Sequence, residues 1–162
     1  MLPCRRTLSA FVVLLPASLG ACEEEAPARK EPPVAPAGKV EIVKVEAGAN
    51  VADRIQKEVA RAASDHKSLV VYVGAPWCEP CVRFHDAAQA GKLDTVFPNL
   101  RLLEFDHDQH EVGLRQAQCT SRLIPLFARP DDAGRCSERR IEGSIKGEGA
   151  VDEIVPRLKG LL

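Results

Sequence analysis

The sequence predicts an α/β fold in which a central β-sheet is flanked by helices on both faces. Segments with the pattern of strands alternate with segments of helical spacing, in the order β-α-β-α-β-α-β-β-α. Residues 68–74, SLVVYVG, form a short continuous apolar run, which is typical of a strand that is buried on both faces. Strands that alternate with helices favour a sheet with helices on both sides. A chain of 162 residues accommodates one such domain and is short for two.

The first strand and the first helix are separated by a change of period. Residues 40–45 alternate in hydrophobicity, which predicts a strand. Asn50 is a favourable N-cap, and Asp53 follows three residues later in the manner of a capping box. We therefore predict a helix from residue 51 to about residue 66, and its apolar face consists of Val51, Ile55, Val59 and Ala62.

The remaining elements follow the buried strand in close succession. Pro156 lies within the last of them, where an interior proline removes a hydrogen bond and costs about 3 kcal/mol. That helix is therefore expected either to kink at Pro156 or to begin later. The predicted ranges are a helix over 79–91, a strand over 100–105, a helix over 109–118, strands over 124–128 and 140–145 around a turn at 130–134, and a helix over 150–161.

The N-terminal segment has the three-part layout of a secretory signal peptide. Arg5 and Arg6 precede an apolar run over 8–19, and small residues follow. The run is shorter than the roughly 20 residues of a membrane span, and it contains Pro16. We expect export from the cytoplasm, and a retained anchor helix is the alternative.

Residues 19–22, LGAC, resemble the lipobox of bacterial lipoproteins, in which the cysteine is lipidated. The resemblance implies a signal peptide over 1–21 and a lipid anchor on Cys22 that holds the protein at a membrane on the periplasmic side of a bacterial envelope. Cleavage elsewhere, which would release a soluble protein, is the alternative. Residues 22–38 are rich in Pro, Ala and Glu, so we expect an extended tether. The folded domain is predicted over 39–162.

Charge and cysteine content narrow the functional classes. The chain has 22 basic and 23 acidic residues, which does not indicate a nucleic-acid partner. Besides Cys4 and Cys22, four cysteines remain, and an even number in an exported protein permits disulfides. Cys119 and Cys136 either close an 18-residue loop, worth about 3 kcal/mol, or are separate thiols. If they pair, we expect a structural bond, with a redox relay to Cys78 as the alternative.

Residues 77–81, WCEPC, place two cysteines three positions apart directly after the buried strand. They resemble the active-site motif of the thioredoxin family, usually written WC-x-PC. Ile124-Pro125, 44 residues beyond Cys81, resembles the cis-proline of that family, and Asp108-Gln109 is a weaker match. The resemblance covers roughly residues 40–162. It implies a thioredoxin-like fold with a mixed central sheet, and the activity of a thiol-disulfide oxidoreductase.

The motif suits disulfide exchange for a physical reason. A sulfur at a helix N-terminus lies near unpaired N–H groups and the positive end of the helix dipole, which stabilise a thiolate. We therefore expect the pKa of Cys78 to lie below the usual value of about 8.5. Cys78 would attack a substrate disulfide, and Cys81 would resolve the mixed disulfide. Pro80 is tolerated in the first helical turn and fixes the turn between the sulfurs.

The resemblance also implies the surroundings of the two sulfurs. Trp77 would lie beside the site, and Ile124 with a cis Pro125 would present backbone to the substrate chain. Substrates would be protein thiols or disulfides, with an upstream redox partner and no organic cofactor. The proline before the second cysteine favours a reductase, whereas export into an oxidising space requires a membrane partner that supplies electrons.

Two residues depart from the family pattern. Tyr72 stands six positions before Cys78, where the family often buries an acid, and a tyrosine with a pKa of about 10 is a poor proton acceptor. Water, Glu79 or His85 are the substitutes that the sequence offers. Glu79 lies between the sulfurs, and its charge is expected to oppose a Cys78 thiolate.

Other functions are compatible with the same residues. His85 follows Cys81 by four positions, so Cys78, Cys81 and His85 together define a copper- or zinc-handling module as the alternative function. The sequence has no second CxxC pair to complete a structural zinc site, and we predict no metal ligands. An inert disulfide and a binding protein without redox chemistry are further alternatives. His107 and His110 are predicted to lie in a solvated loop.

Overall fold

The computed structural model describes residues 38–162 of the chain. In this part of the chain, strands and helices follow one another in the predicted order. The elements are β1 (Glu41–Lys44), α1 (Val51–Ser64), β2 (Ser68–Gly74), α2 (Glu79–Gln89), β3 (Leu100–Asp106), α3 (Glu111–Gln116), β4 (Leu126–Pro130), β5 (Cys136–Glu142) and α4 (Ala150–Leu161).

The five described strands form one mixed sheet in the order β1-β3-β2-β4-β5. β3 pairs in parallel with both β1 and β2, whereas β4 runs antiparallel to β2 and to β5. The parallel strands are joined by helical crossovers, and β4 and β5 form a hairpin. This architecture confirms the predicted thioredoxin-like α/β fold with a mixed central sheet.

Successive side chains of β2 serve two separate cores. Val70 and Tyr72 pack into the core beneath α2 and α4, whereas Val71 and Val73 pack into the core beneath α1 and α3. The alternation follows from the two-residue period of a strand, and both faces are apolar because both are covered. Helices therefore flank the sheet on both faces, as predicted.

The last two strands differ from their predicted ranges. β4 begins at Leu126 rather than at residue 124, because the cis Ile124-Pro125 peptide precedes it. The prediction of a strand over 140–145 was wrong, since β5 covers Cys136–Glu142. Gly143 ends this strand with a φ of +64°, a conformation that favours glycine.

Three helices end earlier than the hydrophobic pattern suggested, and α4 retains its predicted range. α1, α2 and α3 end at Ser64, Gln89 and Gln116. α4 begins at Ala150 and continues through Pro156, so it does not start late. Pro156 has no N–H to donate to the carbonyl of Asp152, four residues earlier. Both residues are exposed, so water can bond that carbonyl instead. Within residues 38–162, no helix is both long and apolar enough to cross a membrane.

Candidate active site

Cys78 and Cys81 lie where the chain passes from β2 into α2. Cys78 is the N-cap of α2, and the two cysteines form a disulfide with their Cα atoms 5.2 Å apart. The backbone N–H of Cys78 donates to the carbonyl of Ala75 (3.0 Å), and its carbonyl accepts from Val82 (3.1 Å). Pro80 lies in the first turn of α2, where its missing N–H costs nothing. The first sulfur is thus held at the positive end of a helix.

Trp77 projects from the site and is held by one hydrogen bond. Its side chain is 66% exposed, and its Nε1 donates to Asp108 Oδ2 at 2.7 Å. Asp106 Oδ1 orders this loop by accepting from the backbone N–H groups of Asp108 and Gln109, both at 2.9 Å. Hydrogen bonds from His107 and then Trp77 hold the pKa of Asp108 below its usual value. Asp108 of the Asp108-Gln109 pair therefore supports the Trp77 side chain.

A groove of about 550 Å³ lies beside the first cysteine. Trp77, Cys78 and Ile124 are among its lining residues, and the Ile124-Pro125 peptide bond is cis. Leu123 and Ile145 are exposed apolar side chains of the same groove. The structure therefore brings Trp77, Cys78 and Ile124 together at an open groove that has both apolar and charged side chains.

Glu79, between the two cysteines, is turned toward positive partners. Its Oε1 accepts from Arg83 Nε at 2.8 Å and from the backbone N–H of Gly147 at 3.2 Å. These bonds, that from Arg83 first, hold the pKa of Glu79 below its usual value. Because Arg83 and the Gly147 N–H donate to the Glu79 carboxylate, they partly offset the repulsion expected between that carboxylate and a Cys78 thiolate.

Tyr72 lies directly beneath the second cysteine and does not serve as a base. Its hydroxyl donates to the carbonyl of Cys81 at 2.9 Å. Burial, followed by the nearby Glu104 and Asp86 charges, raises the pKa of Tyr72 far above its usual value. The packing is tight, because a Cβ on Gly74 would lie 2.9 Å from the Tyr72 hydroxyl oxygen and 3.2 Å from Cys81 Cβ. Tyr72 therefore positions α2 as a neutral hydrogen-bond donor.

His85 contacts an acid of the sheet. Its Nδ1 lies 2.9 Å from Glu104 Oε1, and the half-buried pair links α2 to β3. Over residues 38–162, no three or more His, Cys, Asp or Glu side chains are grouped as a metal site. The geometry thus gives no support to the metal-handling alternative built on Cys78, Cys81 and His85.

Cys119 and Cys136 form a second disulfide, with their Cα atoms 5.0 Å apart. The backbone N–H of Cys119 donates to Leu114 (2.8 Å) and that of Cys136 donates to Ala117 (2.9 Å). Both cysteines belong to the apolar core beneath α1 and α3. Of the two alternatives left open by the sequence, the structure has the paired form.

The prediction of a solvated loop was wrong for His110. This side chain is buried, with Nδ1 3.0 Å from the Asp106 carbonyl oxygen and Nε2 3.0 Å from that of Glu46. The histidine links the loop after β3 to the loop after β1, which the sequence alone did not indicate. His107 remains partly exposed.

Sequence reasoning missed Glu104. The run over 100–105, LRLLEF, is predicted from the sequence only as a strand. The register places Glu104 beside Tyr72 on β2 and beside Lys44 on β1. The signal was available, because a charged residue among buried apolar neighbours requires a partner. The predicted lipidation site Cys22, the signal peptide over 1–21 and nearly all of the tether over 22–38 lie outside the described residues.

No family model and no curated protein matches the chain. Among solved structures, the chain is similar to thioredoxin F from spinach chloroplast, with 19% identity, a TM-score of 0.48, and coverage of 77% of this chain and 88% of that one. It is also similar to oxidised thioredoxin from Plasmodium falciparum, with 15% identity, a TM-score of 0.45, and coverage of 74% and 98%. A third is thioredoxin from Trypanosoma brucei brucei, with 16% identity, a TM-score of 0.45, and coverage of 75% and 90%.

Proposed function

We propose that this protein is a thiol-disulfide oxidoreductase that exchanges protein disulfides through Cys78 and Cys81. One observation carries the proposal: the two cysteines are bonded across the first turn of α2, directly beside an open groove. A sulfur in this position is stabilised as a thiolate and is also a good leaving group. A purely structural crosslink would need neither the helix N-terminus nor the groove.

The reaction takes place in two exchanges between sulfur atoms. The Cys78 thiolate attacks one sulfur of a substrate disulfide, an S–S bond forms between them, and the other substrate sulfur leaves as a thiolate. Cys81 then loses its proton and attacks Cys78, which releases the second substrate thiolate and restores the Cys78–Cys81 disulfide. Two electrons pass to the substrate, and the reverse sequence oxidises a dithiol.

A polypeptide substrate suits the surface around Cys78. Trp77, Leu123 and Ile145 are large apolar side chains that remain exposed around the groove. Exposed apolar residues that cluster at one place mark interaction sites. The cis Ile124-Pro125 peptide supplies backbone at the same groove, where an extended chain can lie against it.

Reduction of insulin disulfides by dithiothreitol tests the activity. The full chain carrying Cys4→Ser and Cys22→Ser, which removes the two N-terminal thiols, is expected to catalyse the reaction. Adding Cys78→Ser is expected to abolish catalysis, because a serine hydroxyl is not ionised at neutral pH. Adding Cys119→Ala and Cys136→Ala instead is the matched control and is expected to retain most of the turnover. Full turnover by the Cys78 variant would refute the mechanism.

We further propose that the protein is exported and anchored by lipid on Cys22 at the periplasmic side of a bacterial envelope. The signal-like segment over 1–21 supports this location, and so does the second disulfide, since such bonds persist in oxidising compartments. Expression in a bacterial host with a labelled fatty acid tests it. The wild-type protein is expected to incorporate the label and Cys22→Ser is expected not to, and equal incorporation by the two proteins would contradict the proposed anchor.

The proposed direction is reduction of substrate disulfides, with electrons supplied by an upstream redox partner at the membrane. Pro80 before the second cysteine supports this direction, whereas the oxidising space to which the protein is exported requires the partner that supplies the electrons. The reduction potential of the Cys78–Cys81 pair decides it, because about 30 mV corresponds to 1.4 kcal/mol in this two-electron couple. A potential well above that of the compartment would instead identify a protein that oxidises the dithiols of its substrates.

A further inference from the structure

A second, smaller cleft of about 190 Å³ lies on the Cys81 side of the site. It is separate from the substrate groove in its lining residues, which include Cys81 but not Cys78. The polar side chains that line it come from four elements of the fold. They are Lys44 of β1, Tyr72 of β2, His85 and Asp86 of α2, and Glu104 and Asp106 of β3.

Glu104 has a carboxylate oxygen that can accept a hydrogen bond from a further donor. Its side chain is only 16% exposed, and its Oε1 receives the Nδ1–H of His85 at 2.9 Å. Its Oε2 is buried and has no hydrogen-bond partner among the described residues. A buried carboxylate oxygen without a donor is costly, so such an oxygen calls for an explanation.

The other polar groups of the cleft are less suited to accept a proton from Cys81. Tyr72 already donates its hydroxyl hydrogen to the Cys81 carbonyl, and its pKa is raised. Asp106 Oδ1 accepts two backbone N–H groups of the following loop. Asp86 is exposed, and the Lys44 ammonium has donors only. Glu104 is therefore the half-buried acid of the cleft that has a buried oxygen without a hydrogen-bond donor among the described residues.

We propose that Glu104 accepts the proton of Cys81 in the resolving step and that His85 is the positioning residue that orients Glu104. This inference rests on the proposed function. Cys81 is nearly fully buried, and a buried thiol ionises reluctantly. As Cys81 attacks the mixed disulfide, its S–H proton passes to Glu104 and its sulfur bonds to Cys78. The bond from Cys78 to the substrate sulfur breaks, and the substrate leaves as a thiolate.

The two exchanges can be followed separately with the chromogenic disulfide dithiobis(nitrobenzoate). The probe is added to the full chain bearing Cys4→Ser and Cys22→Ser, after reduction of the Cys78–Cys81 bond. Attack by Cys78 releases one coloured thiolate, and attack by Cys81 releases the second. Glu104→Gln is expected to slow only the second release, by about a hundredfold at pH 7, the lower end of the effect of a positioned base. The difference should shrink as the pH rises from 7 to about 9, because hydroxide then ionises a growing share of the thiol.

Two further variants separate proton transfer from charge and from packing. Asp86→Asn removes a negative charge from the same cleft and is expected to leave the second release within about twofold of wild type. His85→Ala is expected to slow the second release, and His85→Asn, which can still donate to Glu104, is expected to restore much of it. These histidine variants test the same step if Glu104→Gln does not fold.

Each outcome bears on one of the two proposals. A second release with the same pH profile in wild type and Glu104→Gln would overturn the role of Glu104, as would an equal loss in Asp86→Asn. Absence of the first release in the wild-type cysteine pair would instead refute the proposed function. A slow second release that recovers at high pH, with a normal first release, supports both.

Discussion

The two disulfides of this domain have nearly the same exposure and very different surroundings. Cys78 and Cys81 are 5% and 2% exposed, and Cys119 and Cys136 are 1% and 2% exposed. Burial alone therefore does not distinguish a bond that opens from a bond that stays closed. The neighbouring groups make the distinction.

The Cys78–Cys81 bond has a route to solvent on each side. The substrate groove includes Cys78, and the smaller cleft includes Cys81 together with the polar pair of His85 and Glu104. The helix N-terminus at Cys78 stabilises the anion that the exchange requires. This bond spans three positions in sequence, so it restrains the unfolded chain less than a bond across a longer loop.

The Cys119–Cys136 bond has an apolar environment. It ties the residues after α3 to the start of β5 across 17 positions, within the core that also contains Leu114 and Ala117. Its longer loop restrains the unfolded chain more strongly. The comparison teaches that access and charged neighbours suit the first bond to exchange, whereas span and packing suit the second bond to stabilisation.

Removing the second disulfide should give the largest effect on stability with the least effect on activity. Cys119→Ala/Cys136→Ala is expected to lower the free energy of unfolding by about 3 kcal/mol through loop entropy, while insulin reduction continues. Urea denaturation and turnover, measured on the same preparation, check both parts.

Cys78→Ser/Cys81→Ser is the matched control for this comparison. It opens a loop of only four residues, so we expect a loss of about 2 kcal/mol, together with complete loss of turnover. If the Cys119 and Cys136 variant stays folded and yet loses turnover, the second disulfide takes part in electron transfer, and the division between the two bonds is wrong.

Most of the fold was predictable because its signals are local. A few neighbouring residues are enough to indicate the apolar run of β2 and the cap at Asn50. The order of elements follows from such local signals taken one after another. The β4–β5 region was predicted less well, since its strand limits depend on the cis Ile124-Pro125 peptide and on a glycine with positive φ at 143. Such features fix strand ends through backbone conformation, which hydrophobic patterns do not record.

The candidate site shows the same division between local and distant information. Trp77, Cys78 and Cys81 are close together in sequence and were recognised from it. Glu104 was missed because it comes to line the cleft beside Cys81 only through the pairing of β3 with β2, which joins residues 32 positions apart at Tyr72. Its importance follows from register and burial, and neither is visible in a single strand.

The smallest expected effect concerns Trp77, the only tryptophan in the chain and therefore a reporter of the surroundings of the first disulfide. Asp108, which accepts its indole N–H, has a pKa below the usual 3.8, so the ionised contact is complete above that value and is lost only as the pH falls through the lower folded pKa. The change in Trp77 emission that Asp108 causes should therefore occur only below about pH 4. Asp108→Asn, which keeps an acceptor oxygen but cannot ionise, should abolish this change. A wild-type midpoint at or above 3.8 would mean that the hydrogen bonds from His107 and Trp77 do not stabilise the Asp108 carboxylate. Trp77, beside the first disulfide, would then be held less firmly than the geometry indicates.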